Sequence, residues 1–194
     1  MFMHRNRGKH AQAVSLGILT TAIIVTTASA AQPTDPFVFV AYSNRTGGEK
    51  LASGDYGTAA HAVLGQAPSA ASSDPQALDT NRCVAYTMTQ QLAKARVACD
   101  AAVQDAHRAD DSMLSWSPQT RRQSAAAAAV AYSNRAVMHW LDSDMAAASA
   151  DLTKAQALAP EAPFVVRNLS ALQAHQSLLS KTTATAQLAS AAHE

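Results

Sequence analysis

The two cysteines, Cys83 and Cys99, carry the side chains in this sequence best suited to covalent or metal chemistry. A cysteine pair can form a disulfide, bind a metal ion together with other ligands, or supply a catalytic thiolate. No partner histidine lies near them at a metal-ligand spacing, and no base for thiol activation is evident. If the protein is exported, a disulfide is the default expectation, because oxidising compartments favour that bond.

The other side chains with catalytic potential are scattered and match no known arrangement. The seven histidines include no His-x3-His or His-Glu-x2-His pair, and the sequence has no Gly-x-Ser-x-Gly, phosphate-loop or dinucleotide motif. Its glutamates, Glu49, Glu161 and Glu194, lie in predicted loops or at the end of the chain. The sequence therefore predicts no enzyme, no cofactor and no metal site.

The first 30 residues have the layout of a secretory signal peptide. Three basic residues precede an apolar stretch at residues 11–25, and the small residues Ala28 and Ala30 suit cleavage before Ala31. The alternative is an uncleaved membrane anchor, but the apolar stretch is short for a hydrocarbon layer of about 30 Å. We expect export to the periplasm or the extracellular space, with no membrane span after cleavage.

Charge and composition argue against a nucleic-acid partner and favour helices. Removing residues 1–30 takes away three of the 15 Lys and Arg, which leaves 12 against 14 Asp and Glu. Nucleic-acid binding needs a concentrated basic surface, and the doublet Arg121-Arg122 is explained by a solvated helix face. The apolar share is 48%, much of it alanine, while aromatic residues make up only 5%. Because alanine is the strongest helix former, this composition predicts an all-α fold.

Prolines and capping residues mark the predicted helices. Asp74-Pro75 and Ser117-Pro118 each place a capping side chain before a proline at the first helical position. Pro160 ends one helix and Pro163 opens another. These signals predict helices at about residues 75–88, 90–107, 118–141, 144–158 and 163–178.

Small and large residues recur at characteristic positions between residues 129 and 160. These are Tyr132, Ala136, Ala148, Leu152, Ala155 and Pro160. The spacing resembles a tetratricopeptide repeat, which is a pair of antiparallel helices that pack through such positions. The resemblance implies an irregular array of two to three helix pairs with a C-terminal capping helix. It also implies that Arg135 and Asp151 pair across the two helices.

The same spacing recurs around the cysteines. Cys83 lies twelve residues before Ala95, which is the separation of the two small positions in the later pair, and Cys99 follows with the spacing of the second helix. The resemblance therefore implies that Cys83 and Cys99 face each other within a helix pair, close enough for a disulfide. The other reading is two buried free thiols.

The resemblance also implies a binding groove. Tetratricopeptide proteins bind extended peptides or partner helices along their first helices, where an asparagine often contacts the ligand backbone. The matching asparagines, with their predicted neighbours on the same face, are Asn81, Asn134, Asn168, Ser133, Val137 and Trp140. An amide has a donor and an acceptor and can pair with any peptide backbone. Two readings stay open: the asparagines bind a ligand or only stabilise helices, and Trp140 is either a ligand contact or a core residue.

The remaining segments are less regular. Residues 37–41 form a short apolar run that is either a strand or an extended arm, and one hypothesis is that it folds back into the groove of its own chain. On the helix at residues 163–178, we expect Val166, Leu169 and Leu172 to face the preceding helix pair.

The predicted organisation has seven parts. They are a signal peptide (1–30), an N-terminal arm with a degenerate half repeat and linker (31–74), a helix pair with the cysteines (75–107), a loop (108–117), a repeat (118–162), a capping helix (163–180) and a flexible tail (181–194). Two functions fit this organisation. The chain is an exported adaptor that binds an unknown peptide or protein in its groove, or it is a structural subunit of the cell envelope that self-associates. No residue specifies the partner or the oligomeric state.

Overall fold

The computed structural model describes residues 37–65, 74–111 and 117–191. These ranges contain helices and no strand, so the predicted all-α fold is confirmed for them. The predicted signal peptide at residues 1–30 and most of the predicted linker, residues 66–73, lie outside the described residues. The helices are α1 (Gly48–Ala52), α2 (Tyr56–Leu64), α3 (Pro75–Met88), α4 (Leu92–Asp111), α5 (Pro118–Leu141), α6 (Met145–Leu158) and α7 (Pro163–Ala191). None of them is both long enough and apolar enough to cross a membrane.

The caps predicted for two of the longer helices are present. Asp74 accepts a hydrogen bond from the backbone N–H of Ala77 at 3.1 Å, and Ser117 accepts one from Thr120 at 3.2 Å. Each cap satisfies a first-turn N–H that has no partner within its own helix. The caps therefore set the residues at which α3 and α5 begin.

Helices α3 and α4 form one closely packed pair, and α5 and α6 form a second. Small buried side chains fill both contacts, and they include Ala95, Ala98, Ala136, Ala148 and Ala155. Helix α4 also packs against α5, which joins the two pairs. Ala136 and Leu152 of the second pair share a buried cluster with Leu172 of α7. The last helix therefore covers the second pair.

Two helix boundaries differ from the prediction. Helix α4 continues to Asp111, into the predicted loop at residues 108–117, because polar residues alone do not end a helix. Helix α7 continues to Ala191, where we predicted a capping helix at 163–180 and a flexible tail at 181–194. No glycine or proline follows Pro163, and the alanine-rich sequence sustains a helix without an apolar face.

One of the three residues predicted on the buried face of α7 is wrong: Leu172 is buried and Leu169 packs against two buried clusters, as predicted, but Val166 is not buried. Val165 is completely buried, whereas Val166 is 49% exposed. The buried positions 165, 168 and 172 follow helical spacing. Asn168 lies on this face, and Val166, which is one residue or about 100° further round the helix than Val165, lies away from the preceding pair.

Candidate functional site

Three buried asparagines contact one short segment of the same chain. Asn81 on α3, Asn134 on α5 and Asn168 on α7 are all 0% exposed, and each bonds to the backbone of residues 37–42. We call the three side chains the asparagine ladder and residues 37–42 the arm. The arm is neither helix nor strand. Of the two structures predicted for this run, the structure shows an arm.

Each of the three ladder amides pairs with both backbone groups of one arm residue. The Val38 N–H donates to Asn168 Oδ1 at 2.7 Å, and Asn168 Nδ2 donates to the Val38 carbonyl at 2.9 Å. Asn134 pairs with Val40 in the same way, at 3.0 and 2.7 Å. A side-chain amide thus takes the place that a neighbouring strand would take beside an extended chain.

The third amide, Asn81, meets the end of the arm. Its Oδ1 accepts the Tyr42 N–H at 2.8 Å, and its Nδ2 donates to the carbonyls of Tyr42 at 3.0 Å and Thr46 at 3.2 Å. The contacted residues 38, 40 and 42 are two apart, which is the repeat of an extended chain. The arm therefore runs past α7, α5 and α3, against their order in the sequence.

Predicted neighbours of the ladder support it from α5. Ser133 is completely buried, and its Oγ accepts a second hydrogen bond from Asn168 Nδ2 at 2.9 Å. Val137, one turn further along α5, is also buried. The ladder amide on α7 is thus oriented by a residue of α5. Asn168 therefore contacts both the arm and a neighbouring helix.

An aromatic contact holds the first residue of the arm. The Phe37 ring lies 4.4 Å from the Trp140 ring, centroid to centroid, and Phe37 is only 8% exposed. Trp140 also meets the His175 ring of α7 edge-on at 4.4 Å. Such tilted ring pairs add to the stabilisation from apolar burial. Trp140 therefore links the arm to α5 and α7.

A tight turn follows the arm. Gly47 has φ of +78°, which favours glycine, and a Cβ added to Gly48 would lie 2.0 Å from the Tyr42 carbonyl oxygen. Arg45 in this turn pairs with Asp74 at 2.9 Å. Burial raises the pKa of the Tyr42 phenol above its ordinary value, and the nearby Asp74 carboxylate adds to the rise.

An ion cluster behind the ladder connects α5 to its neighbours. Arg135, adjacent to Asn134, donates to both Asp151 carboxylate oxygens at 2.7 and 2.8 Å and to Asp100 at 2.9 Å. The hydrogen bond to Asp151 is the main reason that the pKa of Arg135 is raised. The predicted Arg135–Asp151 pair is confirmed. It joins α5 to α6, while Asp100 joins α5 to α4, so the rotation of α5 that presents Asn134 to the arm is fixed.

The disulfide joins the two helices of the first pair, as the Arg135–Asp151 pair joins those of the second. Cys83 and Cys99 are bridged with a Cα–Cα distance of 4.6 Å, and both are completely buried. Cys83 lies two residues after Asn81 on α3. The bridge therefore ties the ladder-bearing helix to α4, as the spacing of the two cysteines predicts.

The packing positions of the predicted repeat are also occupied as the spacing requires. Tyr132 is buried, and its hydroxyl forms a 2.6 Å hydrogen bond with His107 Nε2 of α4. Ala148, Leu152 and Ala155 of α6 are almost completely buried. Pro160 follows the end of α6 at Leu158. These residues pack the second pair together, and none of the hydrogen bonds described above joins them to the arm.

Sequence reasoning named the ladder and Trp140 but missed the residues that complete the site. His175, Gly48 and the arm backbone at Val38 and Val40 had no individual signal, although the alternating Phe-Val-Phe-Val run was recognised. Among residues 37–65, 74–111 and 117–191, no three His, Cys, Asp or Glu side chains are grouped as metal ligands would be. No protein-family model, curated protein or solved structure shows significant similarity to the chain.

Proposed function

We propose that this protein is an exported, tetratricopeptide-like binding module that holds an extended polypeptide segment along the asparagine ladder. The observation that carries the proposal is the pairing of Asn134 and Asn168 with both backbone groups of Val40 and Val38. These contacts use backbone atoms, so any extended chain can make them. In this interpretation the arm occupies the groove in cis, as a partner segment would occupy it in trans.

Export and the absence of catalysis are parts of the same proposal. The signal-peptide layout of residues 1–30 supports export, and the buried Cys83–Cys99 bridge is the kind of bond that persists in oxidising compartments. A non-enzymatic role is supported by the lack of a catalytic motif in the sequence. The partner is a peptide or protein segment, which needs no cofactor.

A peptide-binding experiment tests the proposal. The full chain carrying Phe37→Ala and Phe39→Ala, which weakens its own arm, is titrated into a fluorescent peptide with the sequence of residues 36–46, and anisotropy is measured. We expect saturable binding that is lost when Asn134→Ala and Asn168→Ala are added. Asn44→Ala is the matched control, because Asn44 is exposed in the turn. No binding to the folded arm-weakened chain, or equal binding after ladder removal, would contradict the proposal.

Self-association is the second candidate function. Leu178 and Leu179 lie on α7 beyond the residues that cover the second helix pair, and they are 63% and 50% exposed. Exposed adjacent leucines favour contact with another apolar surface. Light scattering across a range of concentrations tests this function. A concentration-dependent mass that falls with Leu178→Ser/Leu179→Ser supports it, and a monomer at every concentration excludes it.

A further inference from the structure

The alternate residues of the arm make different kinds of contact. The Phe37 ring makes a tilted contact with the Trp140 ring, and Phe39 and Ala41 pack against the apolar cluster of α1–α4 and Met138 of α5. Val38 and Val40 contact the ladder through their backbone atoms. In an extended chain the side chains of alternate residues point to opposite sides. One side of the arm thus contributes side chains to the core, and the intervening residues contribute backbone.

Space remains beside residues 37–41 of the arm. A cavity of about 490 Å³ lies along the arm and extends between it and the first helices. Its walls beyond the arm include Leu51, Tyr56, Val84 and Met88. These apolar walls suit a side chain at least as large as that of Phe39. Both Phe37 and Phe39 line this cavity, but Phe37 also contacts Trp140, whereas Phe39 packs against the apolar cluster that contains Leu51 and Val84.

We propose that the partner of this groove is an extended segment of another polypeptide with aromatic residues at its first and third positions and a small apolar residue at its fifth. This segment binds by displacing the arm, and the residues between these positions are not selected. The proposal rests on the proposed function, because it requires the ladder to accept a backbone in trans. It adds the side-chain pattern of the partner and the competition with residues 37–42.

Because the arm competes with the partner, substitutions in the arm should strengthen binding of the partner. A partner binds only the fraction of molecules whose arm has left the groove, so its apparent affinity is reduced by that fraction. Removing an arm contact such as Phe37 increases this fraction and strengthens binding in trans. Removing a ladder amide such as Asn134 weakens binding in trans. If the arm is instead a permanent part of the core, removing Phe37 would not strengthen binding in trans.

Fluorescence anisotropy with a panel of peptides tests the pattern. The probes have the sequence of residues 36–46, either unchanged, with both phenylalanines replaced by alanine, or with both valines replaced by alanine. For the full chain carrying Phe37→Ala, we expect replacement of both phenylalanines in the peptide to weaken binding at least about tenfold, equivalent to about 1.4 kcal/mol. Replacement of both valines in the peptide should change binding by less than about threefold. Equal losses for the two peptides would overturn the pattern while leaving the proposed function intact.

The competition is tested on the protein side with the unchanged peptide. Phe37→Ala should bind it about tenfold or more tightly than the wild-type chain, since the groove is open more often. Phe39→Ala weakens the arm at a second point and should give a gain of the same sign, with circular dichroism confirming that both variants stay folded. Equal affinity for the wild-type chain and both folded variants would overturn displacement. A complete lack of binding to every form would instead remove the proposed function.

Discussion

The helix pairs α3–α4 and α5–α6 present the same residue to the arm but are held together differently. Asn81 and Asn134 lie 53 positions apart in the sequence and make equivalent pairs of hydrogen bonds. Two residues further along each helix, the first pair has Cys83 and the second has Ala136. The cysteine is bridged to α4, whereas the alanine packs in a cluster with Leu152 of α6.

The arginines next to the ladder show the same contrast. Arg135 bonds across to Asp151 of α6, but the position 53 residues before Asp151 is Ala98, so α4 offers no carboxylate there. Arg82 pairs instead with Asp79 of its own helix at 2.9 Å. The disulfide therefore links the two helices of the first pair, and the ion cluster links those of the second. Both pairs place an asparagine amide against the arm, although the bond between their helices differs in kind.

Removal of the disulfide should have the largest effect on stability. In the chain-entropy model, a bridge between residues 16 apart contributes about 3 kcal/mol. We expect Cys83→Ala/Cys99→Ala to lower the free energy of unfolding by about that amount in a denaturant titration. Reductant should produce a similar loss in the wild-type chain and none in the variant. An unchanged midpoint in the variant would show that packing alone holds α3 to α4.

Breaking the ion cluster of the second pair should cost less. Arg135→Ala leaves Asp151, which is 6% exposed, without its guanidinium partner, and we expect a loss of about 2 kcal/mol because Arg135 itself retains some solvent contact. The matched control is Arg96→Ala, since Arg96 pairs with Asp142 at the surface with 49% of its side chain exposed. That variant should lose less than about 1 kcal/mol. Equal losses of unfolding free energy in Arg135→Ala and Arg96→Ala would mean that burial of Asp151 does not distinguish the two ion pairs.

A buried carboxyl in the first pair should give the smallest effect, with a pH dependence. Asp105 is 7% exposed, and one of its oxygens has no hydrogen-bond partner, whereas the position 53 residues later is Leu158. Burial raises the pKa of Asp105, which Arg108 only partly offsets. The folded state thus favours the protonated carboxyl, and stability is lost as pH rises through the raised pKa.

Asp105→Asn removes this penalty. It should stabilise the protein at pH 7 by up to about 1 kcal/mol, and the gain over wild type should shrink as the pH falls towards 4. Denaturant titrations at several pH values measure the difference. A gain that is the same at all pH values, or a loss at pH 7, would show that the ionised carboxylate is well accommodated.

The resemblance to a tetratricopeptide repeat was enough to predict the contacts within each helix pair. It implied that Cys83 faces Cys99 and that Arg135 pairs with Asp151, each 16 residues further along the chain, and both contacts are present.

On the buried face of α7 the prediction was wrong only at Val166, because adjacent valines at 165 and 166 leave open which of the two is buried. Val165 packs in a cluster with Tyr132 of α5 and Ala155 of α6.

The individual hydrogen bonds that hold the arm had no comparable local signal, although the folding back of residues 37–41 into the groove was one hypothesis from the sequence. Val38 meets Asn168 across 130 residues and Val40 meets Asn134 across 94. Such pairs depend on how the whole array is packed, and the contacts use backbone atoms, which leave no mark on residue type. The apolar run at residues 37–41 indicated a segment that must be covered, and its folding back into the groove was one hypothesis, but no residue indicated which asparagine each backbone group would meet.

Hydrogen exchange of the Val38 and Val40 amides tests the central claim most directly. NMR should show both amides protected in the wild-type chain, because each donates to a buried ladder oxygen. Protection should fall in Asn134→Ala/Asn168→Ala and also when excess peptide of residues 36–46 displaces the arm, while the core amides of α5 remain protected. Exchange of these two amides in the wild-type chain at the rate of an unstructured peptide would contradict the account.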